Sequence, residues 1–468
     1  MLVRAYDPVA MGECKRRIGN MIEYATDMYD AVCDADALLL VIEWKEFRIP
    51  NWEIVKDKMK QMVIIDGRNI YDGEELAMLG VYVCLLVSVF YIMKRKLLRI
   101  TTISDSLFGL LKGQLNFFNH YYDVVGVASG NKYLTSVALR EGVRVIDVPM
   151  KREINLLFDI QSLIILIALF IKERPYIVHT NTPKASLLSM IAAWITRVPN
   201  RIYTVTGLRF ETTTGTLRYV LMIMERITCW CATKVIPEGE GVKRTLLAEK
   251  ITNKTLHVIL NGNINGIDIE YFQRSRGVIL SADIFMSDSF TYIFVGRLVK
   301  DKGINELIHA FVRLYQRYSG IRLLLVGSFD SKLDPLEENT YQLIHNHEAI
   351  SFVGFQEDVR PCFAAADVLT FPSYREGFPN VVLQAGAMGL PAIVTDISGC
   401  NEIIEDGVNG KIIKPKDETL LYETMKWFYE HKDREVLSMA KQARPMVVSR
   451  YEQNKVWEAL LKEYQSLE

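Results

Sequence analysis
Arg297 and Lys302 follow Gly296 in the stretch VGRLVKDKGINELIHAF, directly after the strand-like run YIFVG. Glu376 lies in SYREGFPNVVLQAGAMGLP, directly after the strand-like VLTFPS. A glycine after a strand lets a ligand approach the backbone, and the helix that follows offers its positive end. A guanidinium gives a fixed fork for phosphate oxygens and an ammonium a mobile point charge. Together they suit a diphosphate leaving group that gains charge as a bond to it breaks. The alternative for this pair is a solvated turn. A loop carboxylate such as Glu376 can accept hydrogen bonds from sugar hydroxyls, or simply cap the helix that begins near Asn380 with Pro379 at its first turn.

The chain of 468 residues is long enough for about three domains. Its 55 basic and 56 acidic residues give a formal net charge of -1, so no overall basic field draws nucleic acid, and no nucleic-acid partner is expected. Seven cysteines, at 14, 33, 84, 229, 231, 362 and 400, form no C-x-x-C pair, which argues against a disulfide framework or a zinc site and fits a reducing cytoplasm. The N-terminus has no basic segment followed by an apolar one, so no signal peptide is expected.

Two apolar runs stand out. Leu76–Met93 is eighteen residues without a charge, followed by Lys94, Arg95 and Lys96, which meets the length criterion for a spanning helix with a basic flank. Leu163–Lys172 is too short to span and reads as a buried helix, with a contact to a membrane surface as the alternative.

Short β-type runs alternate with helical ones throughout, which is α/β patterning with parallel sheets. In residues 1–75 these are LVRAYDP, a helix near Cys14, DALLLVIEW, a helix near Asp57–Gln61, and MVIIDGRN. A second series contains LLRITTIS, a helical stretch with Leu111, Leu115 and Phe118, then YDVVGVAS, PYIVHT and RIYTVTG. It closes at the polar NGNINGID, Asn261–Asp268, whose composition suits a linker. A third series has YIFVGR, RLLLVGS, ISFVGF, VLTFPS and PAIVTD, and the chain ends in an amphipathic helix carrying Val456, Leu460, Leu461 and Tyr464 on one face. Two α/β domains so joined leave a cleft, and such sheets bind ligands beyond the carboxyl ends of their strands.

As a set, VGRLVKDKGI, FVGF, SYREGFPNVVLQAGAMGLPAIVTD and NEIIEDGVNG resemble the retaining glycosyltransferases of family 4, from about Lys96 to the C-terminus. VHTNTPKAS and NGNINGIDIEYF are similar to bacterial members that build capsule, O-antigen or other surface polysaccharides, often on a polyprenyl-diphosphate carrier. The resemblance implies an α/β GT-B fold, two Rossmann-like domains facing a cleft. It also implies a nucleotide-sugar donor, most simply a UDP-sugar, a glycan or polyprenyl-diphosphate-linked acceptor, and transfer with retention. Carried over residue by residue, Arg297 and Lys302 hold the diphosphate and Glu376 contacts the donor sugar. Gly296, Gly377, Phe378, Pro379 and Asn380 support sugar and phosphate, Val353, Gly354 and Phe355 flank the base, and Gln384 meets the ribose. His179, Thr182, Lys184 and Thr206 fall on the acceptor side. The expected place of work is the cytoplasm, at the inner face of the cell membrane, with a peripheral membrane contact.

Three departures from the family pattern matter. Gln384 stands where the pattern has a second glutamate, so one ribose contact changes from acceptor to amide. Asn181 and Thr206 stand where relatives commonly carry histidine, leaving His179 as the one histidine nearby, either catalytic or packed in the core. No D-x-D lies in the transferase portion, so no metal and no cofactor beyond the donor are expected; the DAD at 34–36 belongs to the first segment.

RAYDP, ADALLLVIEWKEF and VIIDGRNIYD resemble the C-terminal UDP-binding portion of UDP-glucose and GDP-mannose dehydrogenases. Neither a G-x-G-x-x-G nor a catalytic-cysteine motif accompanies them, so oxidation of a sugar is not expected. Arg68 marks either a leftover nucleotide-sugar site or a structural remnant. The expected layout is a partial dehydrogenase-type domain at 1–75 and an apolar junction or membrane segment at 76–96. An acceptor-side domain at 97–268, a donor domain at 269–445 and a C-terminal helix at 446–468 follow. A fusion of two neighbouring reading frames would account for the junction.

Overall fold
The computed structural model describes residues 2–68, 70–71, 76, 82–85, 94–274, 289–330 and 334–467. It divides into two compact units, Met1–Lys94 and Arg95–Glu468.

In the first unit β1 (Arg4–Ala5) pairs with β2 (Glu23–Tyr24), and β3 (Leu38–Leu40), β4 (Val63–Asp66) and β5 (Tyr82–Leu85) form a parallel sheet. The buried Asp66 carboxylate accepts from the backbone N–H groups of Arg68, Ile70 and Tyr71, which turns the chain sharply after β4. Arg68 itself pairs with Glu43 at 3.1 Å. The run Leu76–Met93 falls outside the described residues except for Leu76 and Tyr82–Leu85. Those four residues are a sheet strand in register with β4, which excludes them from a spanning helix. Among the described residues no helix is long and apolar enough to cross a membrane.

The second unit is built on two six-stranded parallel sheets. The first comprises β6 (Lys96–Ile103), β7 (Asp123–Ser129), β8 (Arg144–Asp147), β9 (Ile177–Thr180), β10 (Asn200–Val205) and β11 (Lys234–Pro237), in the order β11-β10-β9-β6-β7-β8. The second comprises β12 (Phe290–Val295), β13 (Ile321–Val326), β14 (Ile350–Phe352), β15 (Val368–Phe371), β16 (Ala392–Thr395) and β17 (Gly410–Ile413), in the order β14-β13-β12-β15-β16-β17. Both are the doubly wound order, in which the winding reverses between the first and fourth strands and leaves a crevice at their carboxyl ends. The α/β, two-Rossmann expectation is met. The short strands β8, β11 and β17, four residues each, escaped the sequence pattern.

Burial follows from winding on both faces. Strands β12, β13 and β15 are apolar at nearly every position, as a sheet covered on both sides requires. Helix Leu156–Glu173 contains the second apolar run. It buries Ser162, Leu166, Phe170 and Glu173 but exposes Leu157, Ile160, Ile164 and Ile171, so the buried-helix expectation holds for one face only. The stretch Asn261–Asp268 is not a solvated tether. Asn263 and Asn265 are buried, with Asn263 Oδ1 accepting from the N–H groups of Asn265 (3.0 Å) and Gly266 (2.7 Å).

The final helix, Gln453–Gln465, returns to the first sheet, where Leu460, Leu461 and Tyr464 join the core of Leu97, Leu115 and Phe118. Its Tyr464 hydroxyl sits 2.5 Å from His179 Nδ1 and accepts from the buried Arg99 at 3.4 Å, while His179 Nε2 meets Thr204 Oγ1 at 2.7 Å. Burial, reinforced by the Arg99 charge, holds His179 well below its ordinary pKa. A neutral ring makes one of these two contacts as a donor and the other as an acceptor. His179 is therefore a satisfied core histidine, which corrects its acceptor-side assignment: no part of its side chain reaches solvent. Removing the hydroxyl in Tyr464→Phe leaves His179 and Arg99 each short of a partner. It should cost about 1–3 kcal/mol in urea unfolding while leaving the acceptor KM unchanged; a raised KM at full stability would restore His179 to the site.

Candidate active site
The donor-side residues gather at the reversal point of the second sheet. The β12–β15 ladder covers only Tyr292↔Val368 and Ile293↔Leu369, whereas β12–β13 runs for six residues. Beyond it the strands are bridged by stacked rings, Phe294 on Phe371 with centroids 5.8 Å apart. The loop after β12 carries Gly296, Arg297 and Lys302, and the loop after β15 carries Ser373–Pro379, so the winding brings the two sequence motifs to one crevice.

Close backbone packing fixes these loops. Gly303 has φ +70° and lies so near Pro372 that a Cβ there would fall 2.2 Å from the Pro372 carbonyl oxygen. Only glycine fits both demands. Lys302 consequently reaches Glu376 and forms an ion pair with it, and Ser373 Oγ donates to the same carboxylate oxygen at 2.9 Å. Both charged groups are largely buried, at 17% and 16% exposure. Arg297 is more open and meets Asp330 at 3.3 Å. Arg375, next to Glu376, pairs with Asp301 at 3.1 Å.

The remaining donor-side positions are also placed at strand ends. Gly296, Gly327 and Gly354 close β12, β13 and β14 in a row, with the Gly327 N–H donating to the Gly354 carbonyl at 2.8 Å. Val353 packs against the core and Phe355 is exposed. Phe378 is buried against Tyr451, and Pro379 precedes helix Asn380–Ala387, on whose second turn Gln384 lies half-buried. Asn380 Oδ1 accepts from Asn263 Nδ2 at 2.8 Å, across the two halves of the unit.

The first sheet faces this crevice with the loop after β10. A Cβ on Gly377 would lie 2.1 Å from the Thr206 carbonyl oxygen and 2.9 Å from Glu238 Oε2, so the two halves meet backbone to backbone. Thr206 thus sits at the seam, its hydroxyl donating to the Asn181 carbonyl at 2.7 Å. Thr182 Oγ1 accepts from the Thr102 N–H at 2.8 Å, at the reversal point of the first sheet. Lys184 departs from its acceptor-side expectation, because its buried ammonium is bound to Asp159 at 2.5 Å and to the Glu153 carbonyl at 2.8 Å.

Three further groups take roles that their sequence motifs did not assign. The Asn181 side chain is fully buried beside Thr206, and neither of its amide atoms has a partner among the described residues. The Glu402 carboxylate, on helix Cys400–Ile403, crosses the seam to accept from the N–H groups of Glu240 (2.6 Å) and Gly241 (3.0 Å), capping helix Glu240–Ala248. Glu238, immediately after β11, is buried, and its pKa is pushed up to about 8, chiefly by burial and further by the charges of Glu376 and Glu402, against a hydrogen bond from the Ile264 N–H. No local pattern assigns the contacts of Glu402 and Glu238, since their partners lie in other loops.

Against known proteins, residues 289–431 match the family of glycosyl transferases group 1, and residues 119–262 match the glycosyl transferase 4-like domain. The capsular polysaccharide biosynthesis glycosyltransferase CapM of Staphylococcus aureus is 34% identical over 370 residues, covering 78% of this chain and 96% of CapM. The chain belongs to the family 4 glycosyltransferases. A second relative of this transferase is the Escherichia coli UDP-Gal:alpha-D-GlcNAc-diphosphoundecaprenol alpha-1,3-galactosyltransferase, 28% identical over 307 residues, 64% of this chain and 78% of that one. The fold is shared with Anabaena Alr3699/HepE, solved in complex with UDP, at a TM-score of 0.65 and 18% identity over 79% of this chain and all of that one. Residues 1–73 match the UDP binding domain of the UDP-glucose/GDP-mannose dehydrogenase family.

Glu238 gives the transferase a testable pH signature. The native state holds a proton on Glu238 up to about pH 8, while the unfolded carboxyl loses it near 4.5. Between those values the unfolded state binds fewer protons, so stability falls as pH rises, by about 1.4 kcal/mol per unit, and levels off above 8. Glu238→Gln keeps a neutral side chain of the same shape and removes that component. Urea unfolding from pH 5 to 9 should show a shallower decline for the variant, and parallel profiles would refute the protonated state.

Proposed function
We propose that the transferase moves a hexosyl or N-acetylhexosaminyl group from a UDP-sugar to a polyprenyl-diphosphate-linked or other surface-polysaccharide acceptor, with retention at the anomeric carbon. The observation that carries this reading is the contact of Lys302 with Glu376 at the reversal point of the donor sheet, with Arg297 on the same loop. The donor class and the carrier are supported by the named activities of the relatives, a capsular transferase and a UDP-galactose transferase acting on a diphosphoundecaprenol substrate. A lipid-linked acceptor places the reaction at the inner face of the cell membrane.

In this reading the diphosphate draws Lys302 away from Glu376 and adds Arg297 as a bidentate partner. Glu376, kept in place by Ser373 Oγ, then turns its lone pairs to the donor sugar's hydroxyls. The donor C1–O bond breaks with its electron pair going to the UDP β-phosphate. The acceptor oxygen bonds to C1 on the same face, and its proton passes to the departing phosphate oxygen. The two cations stabilise the charge that grows on that oxygen, so the chemistry is assigned to electrostatics without a metal or further cofactor. Helix Asn380–Ala387 presents its N-terminal N–H groups on the same side.

Release of UDP from a panel of UDP-sugars, measured with a lipid-linked acceptor and with EDTA present, tests the assignment. Arg297→Ala and Lys302→Ala should each lower turnover about 10²–10³-fold, and the product anomer should match the donor's by NMR. Near wild-type turnover in both variants would defeat the roles of these two cations. Gln384 bears on the competing reading of a nucleotide-sugar binder without turnover, because an amide replaces a carboxylate there. Gln384→Glu should leave the donor KM within about threefold, less than one full hydrogen bond is worth; a large fall would mark the amide as a disabled donor contact.

A further inference from the structure
Helices that cover a sheet usually turn polar residues outward. Three neighbouring helices over the first sheet do not. Helix Leu156–Glu173 packs beside Pro183–Ile195, which packs beside Gly215–Cys231. On the first, Leu157, Ile160, Ile164 and Ile171 recur at helical spacing and are exposed, Leu157 at 83% and Ile164 at 61%. On the third, Tyr219, Ile223, Ile227 and Trp230 do the same, with Trp230 at 65%. The middle helix contributes half-buried Leu187 and Ile191 and exposed Trp194, whose ring lies 5.1 Å from that of Trp230. Each of these helices already buries a separate face on the sheet, so the outward stripes are additional. Eighteen residues of helix and two interhelical spacings outline a face of roughly 27 by 20 Å, on the order of 500 Å², the size of a monomer's largest apolar patch, which is often a functional one.

The exposed charges around this face are mostly basic. Lys151 and Arg152 precede the first helix, Lys172 and Arg174 end it, and Arg197 follows the middle one, all exposed. Arg226 and Lys250 are exposed at the far edge. Glu153 is the one exposed acid in the same segments, 149–174, 183–200, 215–231 and 249–254. There Arg226, Lys250 and Lys254 line a groove of about 530 Å³ with Ile227 and Trp230. Arg226 and Lys254 donate to backbone carbonyls of residues 249–250 and 229–232, contacts that leave their positive charge unneutralised.

We infer that this face of the transferase seats on an anionic lipid bilayer, with the apolar stripes entering the headgroup boundary and the basic rim meeting lipid phosphates. A two-fold pairing of the face with a second copy would set the cationic rim against itself, which like-charge repulsion opposes. An anionic bilayer neutralises the same rim. Exposed Trp and Tyr, apolar with a polar edge, suit the interfacial layer. The inference deepens the membrane-side placement proposed above by naming the face, and its readout does not depend on transfer.

Co-sedimentation of the full chain with phosphatidylglycerol vesicles and with phosphatidylcholine vesicles tests it. The wild type should bind the first, release in high salt, and bind the second at least about tenfold more weakly. Ile164→Glu combined with Ile223→Glu, at exposed positions outside the proposed donor and acceptor contacts, should cut binding about tenfold or more. Lys151→Glu with Lys172→Glu should do so by about the same factor. Circular dichroism melts check that both variants fold. Failure of the wild type to bind, or equal binding by both folded variants, would overturn the inference. So would a wild-type dimer that Ile164→Glu with Ile223→Glu dissolves, since the face would then belong to a second copy. UDP release in the same preparations reports separately on the donor assignment.

Discussion
The site depends on the contact between Gly377 and the Thr206 carbonyl. Two parallel sheets turn their carboxyl ends toward each other, and at that point the backbones are too close for even a methyl group. Gly207 faces Gly377 from the other side with φ +124°, and Gly399, at φ +76°, backs onto the Gly377 carbonyl. A side chain on Gly377 would wedge the halves apart, and one on Gly399 would push the Gly377 loop out of place. With them absent, longer polar groups can span the seam: Asn263 to Asn380, and Glu402 to the first N–H groups of helix Glu240–Ala248. The Glu402 contact joins a full negative charge to a helix's positive end, which is stronger than a neutral hydrogen bond of equal length.

That closeness also crowds three carboxyl groups, and each is managed differently. Glu376 is neutralised by Lys302. Glu402 is ionised against the N–H groups of Gly399, Glu240 and Gly241. Glu238, buried and near both, has one N–H from Ile264 and no cation among the described residues, and it stays protonated to about pH 8. A third charge here would be opposed by its neighbours, which adds to burial in keeping the proton on Glu238. Groups on the second half thereby act on a residue that follows the first sheet.

Much of this was legible in the sequence because it is local. Strands β12, β13 and β15 are continuous apolar runs, and the motifs that follow them stand where doubly wound sheets bind ligands, so the meeting of Lys302 and Glu376 could be anticipated from topology. The motif at His179 misled, since a histidine at a strand end looks the same whether a ligand or Tyr464, 285 residues later, takes its nitrogen. Glu402 and Asn263 lie in recognisable motifs, yet their contacts could not be read there, because the partner of each is on the opposite half; Glu238 carried no signal. Asn261–Asp268 read as a linker by composition, yet its asparagines are polar in order to satisfy buried backbone and side-chain groups. The outward apolar stripes were hidden by the opposite problem. A helix apolar on both faces reads as buried, and only the structure separates the face on the sheet from the face in solvent.

The same stretch also fixes where the chain passes between the halves. The chain crosses between them twice, and both crossings lie side by side. Ile267 and Glu452 form a parallel bridge, with Ile267 N–H donating to Tyr451 O at 2.7 Å and Gln453 N–H donating to Ile267 O at 3.1 Å. Gly266, at φ +64°, allows this approach, since a Cβ there would lie 2.7 Å from Gln453 Cα. Two adjacent backbone segments joined by hydrogen bonds thus tie the two crossings to each other. The final helix then anchors the second crossing to the first sheet through Tyr464 and Trp457, whose Nε1 donates to Asn265 at 2.7 Å. Side chains add to these backbone links, with Glu402 accepting from the N–H groups of Glu240 and Gly241 and Asn263 donating to Asn380, so the crossings and the seam contacts hold the halves together.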